Sequence, residues 1–114
     1  MDDAYKNKLN EFCDCYKTKI ASIQCDIDKL NSEVMLLNNE NDLLIRCLSP
    51  LERAKERITG EEEYNYGRYV LGPIRNRMKQ IDIQIKEINV KQKELTDQKG
   101  PYLIAMSVLE REHL

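Results

Sequence analysis

This sequence predicts an all-α fold built on a coiled coil, and three observations point there. Apolar residues from Leu9 to Leu48 recur at alternating spacings of four and three, with no Gly or Pro between them. Charged residues make up 33 % of the chain and Trp is absent, a composition that suits long solvated helices around a small core. A second four-three series comes later, Ile74, Met78, Ile81, Ile85, Ile88 and Leu95.

In the first series the d positions are Leu9, Tyr16, Ile23, Leu30, Leu37 and Leu44. The a positions are Cys13, Ile20, Ile27, Val34, Asn41 and Leu48. Such a stripe is too narrow for one helix to bury alone and calls for a partner helix. Ile and Val at a with Leu at d favour two parallel strands, and an Asn at an a position pairs best with its own copy. The expectation is a parallel homodimer zipped along residues 1–48. Leu36, Leu43 and Ile45 lie off the seam, so the later half of this helix should have more than one neighbour.

Asp2 or Asp3 is placed to cap the first helix. Ser49-Pro50 should interrupt it, because a proline lacks the amide donor and clashes with the preceding turn. Whether that interruption is a kink or a reversal stays open. Ser49 and Glu52 read as a capping box for a short helix, 51–58, ended by Thr59-Gly60. The Tyr- and Gly-rich stretch 60–73 reads either as a tight β-hairpin near 64–70, with Gly67 at positive φ, or as an ordered loop. A helix over 74–99 comes next, stopped by Gly100-Pro101, and then a short helix over 102–114. Residues 49–114 would form a small helical end, resembling a four-helix bundle in the dimer.

Cys13 and Cys15 suggest metal or redox chemistry only at first sight. Residues two apart on a helix point away from each other, and the single histidine, His113, is remote, so no metal site and no cofactor are expected. Cys13 is expected to face its own copy, where oxidation could cross-link two chains. No Gly-rich phosphate loop and no nucleophile–base pair is present, which argues against an enzyme.

Charge is unevenly spread. Arg68, Arg75, Arg77, Lys79, Lys86, Lys91 and Lys93 make the middle of the chain basic. Tyr66, Arg68, Tyr69, Arg75, Arg77 and Lys79 are the candidate site, either for a partner protein or for a phosphate-bearing ligand at the helix start after Gly72-Pro73. The competing view is that the arginines answer nearby glutamates.

The functional expectation is therefore a non-enzymatic protein-interaction module: an adaptor, assembly subunit or inhibitor. It would bind itself and, at its globular end, another protein. A nucleotide or nucleic acid is the alternative ligand. The polar opening Asp2-Asp3-Ala4-Tyr5 predicts no secretory leader, and no run is apolar enough for a membrane, so reduced thiols in cytoplasm or nucleus are expected. The order of long helix, short hairpin and returning helix resembles the plan of a prefoldin subunit. That resemblance is architectural and implies no activity.

Overall fold

The structure, a computed structural model, describes residues 3–113 and is all-helical over them. Helix α1 spans Asp3–Lys55, α2 spans Glu61–Tyr66, a π-helical segment covers Gly67–Leu71, and α3 spans Gly72–His113. Asp3 lies in the first turn of α1, where a carboxylate favours the exposed amides. The alternative cap, Asp2, lies outside the described residues.

Four expectations are corrected. First, Pro50 sits inside α1, so there is no separate helix over 51–58. Second, Pro101 sits inside α3, which starts at Gly72 and runs 42 residues without a break at Gly100. A proline in a helix interior costs about 3 kcal/mol. Both prolines are exposed, and the carbonyls they deprive of an amide donor, those of Arg46 and Asp97, belong to exposed residues. The helices continue because the apolar stripe continues. After Leu95 the inward positions are Lys99, Tyr102, Met106 and Leu109, with the same four-three spacing. Tyr102, Met106 and Leu109 are half-buried, and a fraction of the about 1.5–3 kcal/mol of a fully buried side chain from each together offsets one proline.

Third, residues 64–70 are neither hairpin nor loop but α2 and the π-helical segment. Gly67 has φ −60 and ψ −42, ordinary helical values. The chain turns just before, where Glu56, Arg57 and Ile58 donate to carbonyls three residues back (3.1–3.2 Å). Gly60 then takes φ 68 and ψ −134, which its missing Cβ permits, and accepts the first α2 bond from Tyr64 N–H at 3.2 Å.

Fourth, the helix alongside the α1 seam is α3 of the same chain, running antiparallel, at the place where the residue choices predict a parallel second copy. The chain forms two compact units, Met1–Asn31 with Asn89–Leu114, and Ser32–Ile88. In the first, the Tyr16 and Tyr102 rings lie 6.0 Å apart between centroids, Lys99 donates to Gln24 at 2.7 Å, and Gln92 donates to Asn31. Positions rise along α1 as they fall along α3. In the second, Arg77 meets Glu40 and Arg75 meets Glu52, with the same antiparallel sense. A tethered helix closes onto the seam at the modest entropy of one loop, whereas a second chain must be recruited from solution.

All twelve seam residues of α1 point inward. Cys13, Ile27 and Leu30 are buried. Leu9, Tyr16, Ile20, Ile23, Val34, Leu37, Asn41, Leu44 and Leu48 are half-buried. Leu71 and Ile81 are the most enclosed side chains of the second unit. Cys13 is buried in the seam of the first unit, and Asn41 is half-buried in that of the second.

Candidate functional site

The six candidate residues fall along α2, the π-helical segment and the start of α3, and the structure does not gather them into one pocket. Arg77 Nε and Nη2 both donate to the Glu40 carboxylate, the second at 2.9 Å, a forked pair between α3 and α1. Arg75 Nη2 donates to Glu52 at 2.6 Å. The Tyr66 hydroxyl donates to the Leu51 carbonyl at 2.7 Å, tying α2 back to the end of α1. Three of the six thus join the turn to α1. Lys79 is exposed beside a shallow groove with Leu48 and Met78. The helix start proposed for anion binding is absent, because α3 grows directly out of the π-helical segment and the Gly72 N–H donates to the Gly67 carbonyl.

The Glu40–Arg77 pair has an electrostatic signature. The hydrogen bond from Arg77 holds the Glu40 carboxyl below its ordinary value, with charge attraction adding to it and desolvation opposing. The same bond raises Arg77 above its own ordinary value. A carboxyl lowered in the folded state stabilises the fold above its unfolded pKa, and that contribution disappears as pH falls through the lowered value. Arg77→Gln is therefore expected to lower Tm at pH 7. The gap between wild type and variant should close below about pH 4. Far-UV circular dichroism melts across that range check it, and a gap that stays constant to acid pH would rule out the pair as its source.

Still facing outward at the turn is a cluster around Arg68. Arg68 Nη1 donates to the Tyr64 hydroxyl at 3.3 Å, and its guanidinium carbon lies 5.4 Å from the centre of the Tyr69 ring. Tyr64 is 64 % exposed and Tyr69 66 %. The spacing of four between Tyr64 and Arg68 puts both on one helical face. Sequence reasoning selects Arg68 and Tyr69 but passes over Tyr64, because it expects strand or loop there, and the i, i+4 relation matters only in a helix. Lys55, Gly60 and Glu63 line a shallow polar depression beside the cluster.

A second outward surface lies on α1 in the same unit. Leu36 and Leu43 are 69 % and 59 % exposed. Leu36 lines an open groove of about 410 Å3 with Leu37 and Ile88, rimmed by Glu33, Gln84 and Glu87. Of the cysteines, Cys15, Cys25 and Cys47 are exposed and all four are free thiols. Among the described residues no group of three or more His, Cys, Asp or Glu side chains is placed to hold a metal ion. No described helix is long and apolar enough to cross a membrane.

No known family model matches this chain, and no characterised protein or solved structure shows significant similarity to it.

Proposed function

We propose that this chain is a non-enzymatic protein-interaction module, one that associates with itself and presents its turn end to another protein as an adaptor, assembly subunit or inhibitor. The observation that carries the reading is the Tyr64–Arg68–Tyr69 cluster. Large amphipathic rings and arginine are the residues enriched where interfaces bind most strongly. Here the arginine is already held by the two rings, so less side-chain freedom is lost on docking. The setting we propose is cytoplasm or nucleus, where four thiols stay reduced.

The test is capture from the native source with the whole chain as bait. Arg68→Ala and Tyr69→Ala should each weaken capture of a given partner by about 2 kcal/mol, roughly thirtyfold in affinity. Both side chains are exposed, so the helical content of the variants should match the wild type. A partner retained equally by wild type and both variants would overturn the turn-end reading.

A further inference from the structure

We propose that two copies of this chain pair antiparallel and isologously along the outer face of α1 between Glu33 and Arg46, each placing Leu43 in the other's groove beside Leu36. The inference deepens the self-association part of the reading above and rests on it. Docking at the turn end does not depend on it.

Leu36 and Leu43 are seven residues apart, which stacks them on one face of α1 about 10 Å from each other. That face is separate from the seam that α3 covers. Exposed leucines at a helical repeat, with an apolar groove next to one of them, are the kind of surface that a second helix covers. The charges around them decide which helix. Glu33 lies three residues before Leu36, and Arg46 three residues after Leu43. Both are exposed, and among the described residues neither makes a hydrogen bond or ion pair with another.

A two-fold axis near Asn39 and Glu40 brings Leu36 opposite Leu43 of the second copy and Leu43 opposite its Leu36. The same operation sets Glu33 against Arg46 of the second copy, twice over. A parallel arrangement would oppose Glu33 to Glu33 and Arg46 to Arg46, two repulsions in place of two attractions. Only the antiparallel choice is self-complementary, as an isologous interface requires. Glu87, on the far rim of the groove, adds negative charge near the place where Arg46 of the second copy arrives.

Sedimentation equilibrium of the full chain at tens of micromolar tests this. The wild type should be a dimer. Glu33→Arg and Arg46→Glu, each turning two attractions into two repulsions, should weaken it by about tenfold. The double swap Glu33→Arg/Arg46→Glu should restore it. Leu36→Asp should leave monomer of unchanged helical content, since Leu36 is not needed inside the folded chain. A monomeric wild type would overturn both self-association and this geometry, leaving turn-end docking standing. A dimer that ignores the single swaps, or that the double swap fails to restore, would overturn this geometry alone.

Discussion

Replacing Ile81 with alanine is expected to destabilise the folded chain by about 2–4 kcal/mol, a large share of the stability of a small domain. Ile81 is 1 % exposed and sits on the inward stripe of α3. Removing most of its side chain leaves a cavity that two rigid helices collapse into poorly. The informative control is two residues along the same helix. Ile83 is 55 % exposed, and Ile83→Ala should change stability by no more than about 0.5 kcal/mol. Urea titration followed by circular dichroism reads both. Equal losses for the two variants would mean that Ile81 and Ile83 share one environment, as in a strand, and would contradict a helix in this segment.

The second large effect has the opposite sign. Pro101→Ala is expected to stabilise the chain by about 1–2 kcal/mol. The substitution returns an amide donor to the Asp97 carbonyl and removes a ring clash, a gain of up to ~3 kcal/mol, reduced by the greater freedom of alanine in the unfolded chain. Tm should rise by several degrees. Pro101 is exposed and sits directly after a glycine within an unbroken helix. A fall in Tm would mean that the helix does not run through this position.

These two positions show where sequence reasoning succeeds and where it stops. The inward positions of α1 are readable because twelve residues keep one period, and burial tracks that period. The pairing is not readable from them. Residue choices at a and d report a preference among parallel assemblies, and that preference says nothing of a competing helix tethered to the same chain. The competitor is disguised by polar residues in its stripe. Gln92 and Lys99 occupy seam positions of α3 and look like interruptions until Asn31 and Gln24 are seen to receive their donors. Proline and glycine signals mislead for a related reason. They report a local cost, and nothing local reveals that Pro50 and Pro101 lie on the solvent side of helices whose other faces are packed.

The candidate site is half legible. Arg68 and Tyr69 stand out as residue types and remain available on the surface. Arg75 and Arg77 stand out equally, yet they are consumed by Glu52 and Glu40, which lie 23 and 37 residues away in sequence. An arginine a few residues after a Gly-Pro pair in sequence invites a ligand. The same arginine beside a carboxylate in space is a clasp, and only a fold distinguishes the two.

The wide helical turn at Gly67–Leu71 carries an evolutionary consequence. A π-type turn holds one residue more than an α turn needs, so it acts as a phase shifter between α2 on one side and α3 on the other. Losing any one residue there would let the winding become uniform and swing the α2 side chains about 100° around the axis relative to α3. Tyr66 would leave Leu51, and Tyr64 would aim elsewhere. Length in this short stretch is therefore under tighter constraint than identity: descendants of this chain could exchange most letters there but could not drop one without re-aiming the whole end.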